Sequence, residues 1–137
     1  MGTDASWPLQ QAITARLGDS DKLREFLGSP PRLFDLPRPD AETPNLVFGD
    51  STCRAWRSAT FDGQEHEIAL HLWSPRSGSG RTREIASLII GLLHDADLDL
   101  PGHALVDLQF ESSETRLAAD NATFHCRIEF RGLTVSD

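Results

Sequence analysis

The chain has 137 residues, 39% of them hydrophobic and 25% charged, which suits one folded domain and excludes a disordered tail. No apolar run approaches the ~20 residues needed to cross a bilayer, and no basic segment followed by an apolar run suggests a secretory leader. Thirteen basic against twenty-one acidic residues give a net charge of -8, which argues against sequence-independent binding to nucleic-acid phosphates. Cys53 and Cys126 stand far apart, with neither a disulfide framework nor metal-ligand spacing, so a reducing, cytoplasmic origin is expected.

The first predicted element is a helix from Ser6, with Pro8 in its opening turn and Leu9, Ala12, Ile13 and Leu17 on one face; Gly18 stops it. A second short helix, Lys22 to Leu27, follows a cap at Asp19 to Asp21 and ends at Gly28. Five prolines (Pro30, Pro31, Pro37, Pro39 and Pro44) then rule out helix or central strand over residues 28–44. That stretch reads as an extended arm anchored by Leu33, Phe34 and Leu36. A short strand is expected at Asn45 to Gly49, followed over 50–64 by a long loop, or the arms of an irregular hairpin, closing in Asp62-Gly63.

Glu65 to Ser74 alternates, with Ile68, Leu70 and Leu72 on one face and Glu67, Ala69, His71 and Trp73 on the other. A glycine-containing break, Ser74 to Gly80, leads to the strongest helical pattern, Thr82 to about Asp95, where Ile85, Leu88, Ile89, Leu92, Leu93 and Ala96 form one apolar face. His103 to Phe110 is a strand expected to turn Ala104, Val106, Leu108 and Phe110 to one side; residues 111–121 read as turn-like. Thr123 to Phe130 is the last strand, with Phe124, Cys126, Ile128 and Phe130 inward. The expected fold is a single α+β domain over 1–137: a mainly antiparallel sheet of three to five strands, packed against one long amphipathic helix plus an N-terminal helix, with long loops. The other sheet face, half polar, would meet solvent or a neighbouring subunit.

The residue types offer little catalytic chemistry. His66 and His71 lie at odd spacing on one strand and face opposite sides; His125 and Cys126 are adjacent and also diverge. No metal set, GxSxG elbow or complete phosphate-binding glycine loop is present, and the carboxylates Glu67, Asp107 and Glu129 are dispersed. No catalytic, cofactor or metal residues are therefore expected. Trp56, Arg57 and Phe61, large groups in a polar segment, either fold onto the core or face a partner. With Arg32, Phe34, Arg54, Trp73 and Arg76 they form the candidate protein-interface set.

The order of segments resembles the tail-terminator, or tail-completion, family of long-tailed bacteriophages and phage-like gene transfer agents. The matching features are the helix from Trp7 to Leu17, the arm PRLFDLP (Pro31 to Pro37) and the strand PNLVFG (Pro44 to Gly49). HEIALHLWS (His66 to Ser74) leads through its break into the apolar helix, and LDLPGHALVDL (Leu98 to Leu108) opens the final strand pair. The resemblance implies a structural, non-enzymatic protein without cofactors. It would form a ring, usually of six copies, that caps the tail tube, ends its polymerisation and joins the tail to the head. Its partners would be further copies of itself, the tail tube protein and a head–tail connector or stopper, with DNA passing through the ring unbound. The place is the tail or neck of a phage-like particle assembled in the bacterial cytoplasm. Other classes of similar size are a neck or stopper protein and a small ligand-binding or hydrolytic α+β domain.

Overall fold

The computed structural model describes residues 4–77 and 79–136. Helix α1 spans Ser6–Gly18 and buries Leu9, Ile13 and Leu17; its N-cap is Ala5, and Ser6 is already helical. The Asp4 carboxylate accepts the Ser6 backbone N–H at 2.8 Å, supplying the capping acceptor that Ala5 lacks. Helix α2, Asp21–Leu27, is capped by Ser20, whose hydroxyl accepts the Leu23 N–H at 3.1 Å. Gly28 closes it at φ +92°, a conformation glycine adopts without a steric penalty. The arm then contributes the two-residue strand β1, Leu33–Phe34.

The remaining elements are β2 (Asn45–Arg57), β3 (Asp62–Pro75), α3 (Ser79–Leu93), β4 (Asp99–Leu100), β5 (His103–Leu117) and β6 (Thr123–Ser136). The expected sheet of three to five strands against one long helix is not what forms. The described residues build a mixed six-stranded sheet in the order β1-β2-β3-β6-β5-β4, curved into a half-barrel, with three short helices. The count rises because two short edge strands, β1 in the proline-rich arm and β4 ahead of the Pro101-Gly102 turn, join the four expected ones, and the sheet is larger because two polar segments are strand. Residues 50–57 extend β2 against β3, and residues 111–117 extend β5 against β6, so what reads as loop carries ladder hydrogen bonds. Nearly every side chain of both segments is exposed, so neither shows the apolar alternation by which a half-buried strand is recognised. The long loop of 50–64 reduces to the four residues between β2 and β3, where the Ser58 N–H donates to the Phe61 carbonyl at 3.1 Å.

Bulges complicate the parity. Register shifts fall between Phe48 and Ser51 in β2, and between Leu105/Asp107 and Phe110/Ser112 in β5. An extra residue flips everything beyond it to the other face. Leu108 therefore pairs with Gly132 on the helix side, whereas Ala104 pairs with Val135 on the opposite side and Val106 is exposed. The expected single face of Ala104, Val106, Leu108 and Phe110 is split. β3 and β6 keep an unbroken register from Gly63↔Val135 to Pro75↔Thr123, and their alternation is as the residues predict.

One core results. Leu9, Ile13 and Leu17 of α1 and Ile85, Ile89 and Leu93 of α3 bury against Leu46, Leu70, Leu72, Leu108, Ile128 and Phe130. α3 begins at Ser79; Gly78 of the expected break lies outside the described residues. The short strands β1 and β4 reach only one end of their neighbours, pairing at Leu46–Val47 and His103–Ala104 respectively. Beyond them the far half of β2 and the far half of β5 run on as wings. These lie at opposite ends of the sheet, because Arg57 is level with Asp62 while Leu117 is level with Phe124.

Candidate interaction surface

The sheet face turned away from the helices carries alternate residues of four long strands, and the antiparallel register sets their partners. Arg54 on β2 stands opposite Glu65 on β3, with Nε 3.2 Å from the carboxylate; its Nη2 reaches Glu67 at 3.4 Å. Arg131 on β6 approaches Glu65 from the other side, its Nε donating to Oε2 at 2.8 Å. Glu65 is thus clamped between two guanidinium groups, and this bonding raises the Arg131 pKa above its ordinary value. Further along, Arg127 pairs with Glu129 at 2.7 Å, and Ser112 donates to Glu129 at 3.2 Å. The concavity between the wings is a trough of about 440 Å³ lined by Asp50, Thr52, Glu67, Glu111, Arg127 and Glu129 among others. Four carboxylates face one guanidinium there.

Towards the other end of this face the charges give way to rings. Trp73 stacks on His125 at 4.4 Å between centroids, and His71 Nδ1 lies 2.7 Å from His125 Nε2. Burial lowers both histidine pKa values; for His71 the Arg127 charge adds to it, and for His125 the neighbouring His71 does. Trp73 also borders a recess of about 270 Å³ shared with Pro37, Arg38 and Pro39 of the arm and Asp120 of the β5–β6 turn.

The candidate interface residues do not converge on one spot. Arg32 works within the arm: Nε donates to the Pro44 carbonyl at 2.9 Å and Nη2 to the Phe26 carbonyl at 3.2 Å. Phe34 lies beneath the Arg38 guanidinium at 4.4 Å. Trp56 and Phe61 pack on each other at 5.0 Å at the tip of the β2–β3 hairpin, away from the main core, with Arg57 beside them. Arg76 donates to the Asn121 carbonyl at 3.1 Å, joining the ends of β3 and the β5–β6 turn. Arg54 and Trp73 occupy the open face described above. The ladder of Glu65, Arg131 and Glu129 and the His71–His125 pair escape sequence reading, since they arise from register between distant strands.

A further convergence lies at the helix-side base of the β2 wing. Donor atoms of Asp4, Cys53 and His66 all lie within 4.8 Å of one another. His66 is buried, and its Nε2 is 3.0 Å from the Thr134 hydroxyl. A groove of about 370 Å³ opens beside Asp4 and Cys53.

A family model described as tail completion protein gp17 matches residues 11–134. The chain belongs to that family. The resemblance carried by the ordered motifs is thereby borne out, and membership in this tail completion family gives the chain a structural role in a phage-type tail and a place in the virion. Solved structures share the fold, among them the two that follow. One, "Virion of native gene transfer agent (GTA) particle", superposes with a TM-score of 0.86 at 19% identity, over 98% of this chain and 100% of that one. The other, "Structure of bacteriophage SPP1 gp17 protein", gives 0.64 at 21%, over 93% and 89%. No curated protein matches the chain significantly.

Proposed function

We propose that this tail completion protein is a terminator subunit: copies of the chain, six to a ring, close on the end of the tail tube. The ring stops further tube subunits from adding and presents the surface that joins the head. The observation that supports this reading is the pair of wings. The far halves of β2 and β5 leave strand edges without a neighbour among the described residues, an arrangement that folded monomers usually avoid. The two wings differ in sequence and sit at opposite edges and ends of the sheet, so they suit a head-to-tail contact, which closes into a ring when the rotation permits. The acidic trough and the net charge of -8 suit a wall past which DNA slides without being held. The role calls for no catalysis. The proline-rich arm and the β2–β3 tip are the segments offered to the tube protein and to the head–tail connector.

The test is native mass spectrometry and negative-stain imaging of the protein alone and with purified tail tubes. A six-fold ring, or binding confined to tube ends with arrest of tube growth, is the expected outcome. A monomer that neither binds tubes nor limits their length refutes it. A ring that binds head connectors but ignores tubes makes the chain a neck protein instead.

A further inference from the structure

We propose that Asp4, Cys53 and His66 form a binding site for one divalent cation of the zinc type, tying the entry of α1 to the β2–β3 hairpin. The bulge between Phe48 and Ser51 creates the site. Before it, Phe48 pairs with Leu70; after it, the register has moved by one, and Cys53 stands directly opposite His66. An unbroken ladder would have set Cys53 opposite Glu65, on the open face. Asp4 is delivered from a third direction by the segment ahead of α1, which is pinned where the Ala5 N–H donates to Gln64 Oε1 at 2.9 Å.

Thiolate, imidazole and carboxylate are the three ligand types zinc accepts, at roughly 2.0–2.3 Å in a tetrahedron, with a fourth position for water. Donor atoms within 4.8 Å of one another come within bonding range of a shared ion after small side-chain rotations. The open groove beside Asp4 and Cys53 supplies both the entry path and the water. The histidine has the support a ligand needs. With Nε2–H donating to Thr134 Oγ1, β6 holds the ring in orientation and Nδ1 keeps its lone pair on the cluster side, where the Ser6 hydroxyl, 3.5 Å away, is the neighbour that the ion would displace. One thiolate and one carboxylate balance a doubly charged ion. Binding forms the metal–sulfur bond and releases the thiol proton to solvent. A single carboxylate beside sulfur and nitrogen disfavours calcium or magnesium. Cys126 is buried under α3 and serves as an internal control.

The experiment takes the full chain, reduced and stripped of metal, and titrates it with Zn2+ by calorimetry and with Co2+ by absorption. One ion per chain is expected, with a thiolate-to-cobalt charge-transfer band in the near ultraviolet. Cys53→Ser, an exposed change that leaves the fold intact by circular dichroism, abolishes the band and the zinc heat; Cys126→Ser keeps both. Thr134→Val, which touches no ion, weakens zinc roughly 10–100-fold by releasing the imidazole. Asp4→Asn weakens binding while the sulfur band persists. Absence of saturable one-to-one binding, or binding that survives Cys53→Ser, overturns the proposal.

Discussion

Two glycine-to-alanine substitutions should act with opposite sign, and the difference is set by what each new methyl meets. At Gly63 a Cβ would sit 2.5 Å from the Trp56 carbonyl oxygen, 2.7 Å from Trp56 Cε3 and 2.9 Å from the Thr134 carbonyl oxygen. Two of these three are backbone atoms of the strands flanking β3, so relief requires opening the ladder on one side. Overpacking of this kind costs about 1–3 kcal/mol, and rigid backbone neighbours place Gly63→Ala towards the upper part of that range. At Gly91, in α3, nothing lies within 4 Å of the added carbon, and alanine replaces glycine inside a helix. That change should stabilise by about 0.5–1 kcal/mol. Urea unfolding of the two variants, with m unchanged, reads both signs directly. Combining Gly63→Ala with Trp56→Ala should restore only part of the loss, since only one of the three close contacts is a Trp56 side-chain atom. A Gly63→Ala protein as stable as the parent would mean that Trp56 does not pair across Gly63 and that the hairpin tip has another register.

Acid should weaken the fold before any carboxylate titrates. Burial lowers the pKa values of His66, His71 and His125 below the ordinary 6.5, so the unfolded chain takes up protons first as pH falls. This stabilisation is present above 6.5 and is lost as pH falls from there through the lower folded-state values; urea midpoints should drop between about pH 7.5 and about pH 5.5. His71→Gln with His125→Gln should flatten the slope, and an unchanged midpoint across that range would contradict the assignment. Glu65→Ala strips Arg54 and Arg131 of their shared partner, whose side chain is 20% exposed, and should cost about 1–2 kcal/mol by urea titration. A loss below a few tenths would mean that the clamp is only a surface pairing.

The legibility of the chain divides along wetness. Glu65–Ser74 and Thr123–Phe130 have one dry and one wet face, so their alternation identifies strand and inward side alike. Leu9, Ile13 and Leu17 mark the buried stripe of α1 in the same way. The wings have two wet faces and write no period, which is why long strands stood behind an apparent loop and an apparent turn, while β1 and β4, two residues each, are too short to write one. Bulges add a second loss, because parity beyond Phe48 or Leu105 cannot be counted from local residues. The ordered motifs still led to the right family, through punctuation that survives: the prolines of the arm, the Pro101-Gly102 turn and the break before α3. The surface clusters were illegible in principle. Glu65 with Arg131, His71 with His125, and Asp4 with Cys53 and His66 are each brought together only by folding.

Surface that the wings leave open can be weighed against the scaling of surface with mass. A compact monomer of 15.1 kDa is expected to expose about 7,100 Å², whereas this chain exposes 7783 Å². The excess, roughly 700 Å², is close to what one partner contributes to a standard protein–protein contact. On the proposed ring reading, a surplus of this size is about what one neighbouring subunit would remove.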